Sequence, residues 1–354
     1  MSRFRSPYFS ANAGQTDPAQ NLGDPPPIGH KSRFRKRLLT GLKLCIVVVL
    51  MIWIVRNADT SSVFAAMRGA NLWLLAVAVG MQVLGAAIMA ARWRLLLEVR
   101  DVRPGFSYLF TATVSAFFFR QFLPSVVGGD AIRSVAAWRA GADPGFAALS
   151  LVADRLFGLL ALILFLVVAS VFMTQVAGGL PGLWAGMGLA VAVVGGGLVF
   201  LMAPGRIRLP ARAPARLHRI LDAMRVFAGA HRIIPSCLGL SILLQINVVT
   251  FYWVIGQALG LDVPYGAFYV IVPIAIFMMM APFSINGIGI REVAFIYLLG
   301  IWNIERELAL AFAWLEFGTI LTAGLLGGAV YLLHRAPQST APRGDRGEGA
   351  TDVT

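Results

Sequence analysis

Apolar residues in this chain do not alternate and do not keep to one helical face. They run unbroken. Such runs lie near residues 38–55, 71–91, 107–123, 146–172, 182–203, 236–259, 265–283 and 308–333, with a shorter one at 287–301. A helix that is apolar all round is buried in a large core or in lipid. About 20 such residues span the hydrocarbon of a bilayer. The pattern therefore predicts an all-α polytopic membrane protein. The segments 1–37 and 336–354 are polar and low in hydrophobic residues, which predicts disordered tails around a membrane domain at 38–335.

Charge orients these spans. The stretch KSRFRKR at 31–37 holds five basic residues and no acid, and no small-residue cleavage site follows the first run. That predicts a retained first helix with a cytoplasmic N-terminus. Residues 92–105 carry four arginines, and 204–234 carry seven against the single acid Asp222. Loops 173–181 and 260–266 have no basic residue. Both arginine-rich segments are expected on the cytoplasmic side, and 204–234 as an amphipathic helix on an anionic lipid surface.

Parity then conflicts with a simple count. Three apolar runs lie between 92–105 and 204–234, and three crossings would end on the wrong side. One run has to enter and return. The segment 107–140 fits, because its centre reads FLPSVVGGDAIR, from Phe122 to Arg133. Irregular backbone of this kind is tolerated at membrane depth only against protein or a cavity. The same reasoning makes 265–301 a second re-entrant hairpin, entered from outside.

The two hairpin tips share a pattern. PSVVGGDAIR begins at Pro124 and PFSINGIGIR at Pro282, with glycine five, isoleucine eight and arginine nine positions later. The arginines, Arg133 and Arg291, are 158 residues apart, and the flanking runs keep nearly that offset. This predicts an inverted repeat, one half at 71–172 and the other at 236–333. About six full transmembrane helices and two opposed re-entrant hairpins complete the expected architecture. Broken helices meeting at the midplane of inverted repeats are a transporter design.

Composition agrees with a membrane protein: 58% of residues are hydrophobic, 13% are charged, and mean hydropathy is +0.75. The net charge of +13 sits mostly in the loops, so lipid head groups rather than nucleic acid are the expected counterpart. Cys45 and Cys237 fall in separate apolar runs, and all four histidines lie outside them, so no metal or cofactor is expected.

Eight ionisable residues fall in or beside apolar stretches: Arg120, Asp130, Arg133, Asp154, Arg155, Arg291, Glu292 and Glu316. Each costs about 3 kcal/mol at the bilayer centre unless paired or wet. Pairing within the bundle is one expectation for Arg120, Asp130, Asp154, Glu292 and Glu316, with Asp154 neutralising Arg133 or Arg120 and Glu316 neutralising Arg291. The other is an anion site built from Arg133, Arg291 and Arg155. There Gly128, Gly129, Gly287 and Gly289 let a head group approach the backbone, and half-helix N-termini point at it.

FLPSVVGGDAIR followed by LSLVADRLFGLLAL, together with PFSINGIGIREVAF, resembles the membrane region of lysylphosphatidylglycerol synthases and their stand-alone flippase-like relatives. The resemblance extends over roughly 38–335. It implies a bacterial inner-membrane protein that moves a phospholipid or isoprenoid lipid between leaflets. The chain stops soon after its last apolar run, which implies the membrane part without the soluble aminoacyl-transfer domain. Position 316 is Glu where a basic residue would match Arg155. A second class stays open at this point: a non-transporting subunit that docks a lipid-modifying enzyme or glycosyltransferase. An enzyme acting inside the membrane is not expected, because no nucleophile-and-base arrangement sits in the runs.

Overall fold

A computed structural model of the chain describes residues 59–122, 127–172, 233–280 and 287–333, with isolated positions at 56, 188, 191–192 and 195–196. The expected elements at 38–55, most of 182–203, the 204–234 segment, both tails and the tip prolines Pro124 and Pro282 lie outside the described residues. Nine α-helices occur among the described residues. They are α1 (Thr60–Gly69), α2 (Leu72–Glu98), α3 (Phe106–Phe122), α4 (Val127–Arg139), α5 (Pro144–Phe172), α6 (Ile234–Ala258), α7 (Phe268–Met279), α8 (Ile290–Gly300) and α9 (Arg306–Leu333).

Local chemistry sets several of the ends. Asn71 accepts from Trp73 N at 3.0 Å and Leu74 N at 3.3 Å, which starts α2. Asp143 accepts from Gly145 N at 2.9 Å, with Pro144 opening α5. At α8 the Gly289 N-cap has φ +84°, a conformation that costs a side chain. Glu292 turns back to accept from Gly289 N at 2.7 Å.

Only α2, α5, α6 and α9 are long and apolar enough to cross a membrane among the described residues. Helices α3, α4, α7 and α8 have 17, 13, 12 and 11 residues. At 1.5 Å per residue they reach about 25 Å or less, short of the roughly 30 Å hydrocarbon core.

Helices α2 and α6 run antiparallel. Asn71 N donates to Ala258 O at 2.8 Å, Asn247 donates to Met81 O at 3.0 Å, and Arg92 donates to Ser241 at 2.7 Å. Two apolar clusters close the ends of the bundle. One holds Leu96 and Leu97 of α2, Leu109 of α3, Ala137 of α4 and Phe146 of α5. The other holds Ile255 of α6, Phe268 of α7, Leu299 of α8 and Phe312 of α9. So α3 and α4 form a hairpin whose open end lies beside the end of α2 and the start of α5. Tyr108 OH fastens that open end to Ala136 O at 3.0 Å. Helices α7 and α8 sit in the same way between α6 and α9.

Exchanging α2–α5 for α6–α9 leaves the set of packed helix pairs unchanged: α3 lies on α9 as α7 lies on α5, and α2 lies on α9 as α6 lies on α5. The quality of contact differs between the halves. On α9, a Cβ at Gly327 would meet the Val114 carbonyl carbon of α3 at 2.9 Å, and one at Gly328 would meet the Phe118 ring at 2.7 Å. On α5 the corresponding contact with α7 uses bulky groups, Phe165 stacked on Tyr269 at 5.4 Å. Small residues bring α3 and α9 backbone to backbone, as in close helix pairs within lipid.

Candidate functional site

Each half carries one acid–arginine pair at the same place. In the first, Asp154 of α5 accepts from Arg133 Nη1 at 3.0 Å and from Arg92 Nε at 2.7 Å. Arg92 also donates to Ser241, which donates in turn to Cys237 O at 2.7 Å. The Arg133 guanidinium lies 4.5 Å from the centre of the Trp93 ring. Trp93 is held by its indole N–H to Ser150 at 3.1 Å. Planar guanidinium on indole is a favourable cation–π arrangement. In the second half, Arg291 Nε lies 3.0 Å from Glu316 Oε2 of α9, and Tyr252 OH donates to Oε1 at 2.9 Å. Arg291 stacks 4.8 Å from the Phe317 ring centre. All five of these arginines and acids are buried. Charges are retained there because each carboxylate meets a guanidinium and a further donor.

Asp154 and Glu316 are thus the matching positions, and Arg155 matches Phe317. The basic partner looked for at 316 has its place one residue later, where an aromatic ring stands. Arg155 itself leaves the core. It pairs with Asp130 of α4, with 48% of its side chain exposed against 29% for the aspartate. Adjacent residues of one helix therefore do different things: Asp154 faces inward and Arg155 outward.

Arg120, in the last turn of α3, lies 5.3 Å from the centre of the Phe117 ring. Its neighbour Gly129 is buried where a Cβ would stand 2.9 Å from Ala116 O, so the backbones of α3 and α4 touch beside the hairpin tip. Gly128 is half-buried next to it. Gly287, at φ +78°, sits against Met279 and accepts from Arg291 N through its carbonyl at 2.8 Å. Gly287 and Gly289 therefore shape the turn that aims Arg291.

Sequence reasoning paired Asp154 with Arg133 or Arg120; the partners are Arg133 and Arg92. It read Arg92 as a loop cation, but α2 continues to Glu98 and buries it. The apolar triplet Leu95–Leu97 beyond Arg92 was the signal that the helix had not ended. Glu292 does not pair across the bundle but caps its own helix. Ser241 and Tyr252 were passed over as ordinary span residues.

A family model described as the lysylphosphatidylglycerol synthase TM region matches residues 41–328. The chain belongs to this family. It is a multi-pass helical membrane protein of a family associated with membrane lipid metabolism. None of the curated proteins matches it.

Proposed function

We propose that this family member is a lipid translocase rather than an enzyme. The α3–α4 and α7–α8 hairpins re-enter the membrane from opposite sides and present the phosphate of an anionic or amphiphilic lipid with one central site. The observation that carries the reading is the repeated acid–arginine pair, Arg133–Asp154 and Arg291–Glu316, beside two hairpins too short to cross. Opposed hairpins require the two halves to be inverted, and the antiparallel run of α2 against α6 supports that. Helices α4 and α8 begin at the tips, so their positive ends and the arginines address the same space. A phosphate arriving there competes with Asp154 or Glu316 for a guanidinium whose geometry fits both oxyanions. The arginine pattern of the loops supports a cytoplasmic N-terminus, and the family resemblance supports a bacterial inner membrane.

The test is a leaflet-resolved flip assay on the protein reconstituted into vesicles. Arg133→Lys and Arg291→Lys keep the charge but remove the planar fork, so folding can be retained while phosphate capture is weakened. The double variant is expected to lose flip activity. Unchanged transport by a double variant that elutes as the unaltered protein does would overturn the reading. An accessory role would show instead as no flip by either form and as capture of a lipid-modifying enzyme through the arginines of 204–234.

A further inference from the structure

The two halves match in their buried pairs and differ on their outer faces. In the second half, the seam between α8 and α9 is covered by α1. Val63 of α1 is buried with Leu310 and Ala311, Val293 and Trp314 pack on that cluster, and Phe64 meets Trp314 at 6.0 Å. Among the described residues, no helix lies over the corresponding seam in the first half, between α4 and α5. Ala131, Val135 and Trp138 form an exposed stripe on α4, and Ala148, Val152 and Arg155 form one on α5. The groove at the deeper end of these stripes, lined by Asp130, Ala131 and Ser134 on α4 and by Ala148, Val152 and Arg155 on α5, has a volume of about 250 Å³. That is room for a head group rather than for one water, whose share of the liquid is about 30 Å³.

Chemistry separates the seams further. The open groove ends at the Asp130–Arg155 ion pair. At the equivalent positions the covered seam has Ile288 and Phe317. An apolar track with a partly exposed charge pair at one end has the pattern of an amphiphile.

We propose that the α4–α5 groove is a lateral docking site for a zwitterionic phospholipid, whose phosphate binds Arg155 and whose ammonium binds Asp130. This rests on the placement of the α3–α4 hairpin in the membrane proposed above. The exchange is balanced: one ion pair within the protein is replaced by two across the interface, and no charge is left unmatched. An anionic lipid would take Arg155 and leave Asp130 facing a phosphate. The acyl chains lie along the two exposed stripes. Trp138 marks the interface end of the track, where indole is at home. Asp130 lies eight residues deeper, about 12 Å along the helix. The exposed stripe therefore leads a head group from one surface towards the groove, whose deeper end lies next to Arg120 and the buried pairs.

The experiment uses the full chain in nanodiscs containing phosphatidylethanolamine or phosphatidylglycerol with a photoactivatable acyl chain. Labelled peptides are then mapped by mass spectrometry. Peptides spanning 131–152 are expected to label about fivefold to tenfold more with phosphatidylethanolamine, the effect of one charge-assisted contact. Asp130→Asn should erase that preference, and Arg155→Gln should weaken labelling by both lipids. Ala148→Trp, which fills the groove without touching the ion pair, should abolish labelling while the protein elutes unchanged. Equal labelling by the two lipids overturns the site. So does an Asp130→Asn variant with its preference intact, or a Val135→Cys variant that cross-links to a second copy across the groove. Flip activity without groove preference removes this site and leaves the translocase standing. Groove preference in a protein that flips nothing does the reverse.

Discussion

Replacing Asp154 by Asn tests the buried charge arrangement most directly. The carboxylate holds two guanidinium groups, at 2.7 and 3.0 Å, with 3% and 5% of their side chains exposed. At an effective dielectric of about 20, two unit pairs at these separations contribute on the order of 10 kcal/mol gross, most of it offset by desolvation of three charges. Neutralising the acid leaves that desolvation in place and sets two like charges side by side. The net loss expected for a buried pair broken in this way is about 3–5 kcal/mol. For a chain of 354 residues that is a fall of roughly 4–7 °C in the unfolding midpoint. The assay is thermal unfolding in detergent, followed by intrinsic tryptophan fluorescence. Glu316→Gln is the control. The amide oxygen of that variant still accepts from Tyr252, and one cation rather than two loses its counter-charge, so its fall should be clearly smaller. Adding Arg92→Met to Asp154→Asn removes one of the two stranded cations and should restore part of the midpoint. A shift below about 2 °C for Asp154→Asn, or a larger shift for Glu316→Gln, would refute the reasoning.

Gly327→Leu puts a side chain where a Cβ already meets the Val114 carbonyl carbon at 2.9 Å, so α3 and α9 must separate at a cost of about 1–3 kcal/mol or more. The same melting assay reads it, and Gly318→Leu, with nothing within 4 Å of a Cβ, should cost less. Asp59, outside the spans, caps α1 through Ser61 and Ser62, and these hydrogen bonds lower its carboxyl to about 2. Because the folded value lies below the ordinary 3.8, the cap's contribution is present above that pH and is lost only as pH falls through about 2. Hydrogen exchange of α1 amides should therefore stay slow through pH 4 in the unaltered chain, whereas Asp59→Ala should exchange faster at and above pH 4 and lose that difference as pH falls through about 2.

Much of the fold could be read in one dimension. Runs that are apolar on every face can only be buried in lipid or protein, so α2, α5, α6 and α9 follow from composition alone. The shortness of α3, α4, α7 and α8 is also foreseen, because proline and glycine at Pro124 to Gly129 and Pro282 to Gly289 deny the backbone a continuous helix. Repetition was legible because both tips keep proline, glycine and arginine at one spacing.

Partner choice was not legible. Whether Asp154 meets Arg120, Arg133 or Arg92 depends on which helix faces α5, and adjacency in space has no trace in separation along the chain. Arg92 shows this best. By sequence it was one of four cations after an apolar run; in the bundle it is a buried cation shared between α5 and α6. The difference between the two seams was equally hidden. Repeat arithmetic treats the halves as equivalent, and only packing lays α1 over α8 and α9 while leaving Asp130 and Arg155, among the described residues, at the end of an uncovered groove. Hydrophobic pattern and loop charge are properties of segments, so the sequence by itself determined which parts enter the membrane and where they break. Pairing and coverage are properties of surfaces brought together from distant segments, and those the tertiary structure decided.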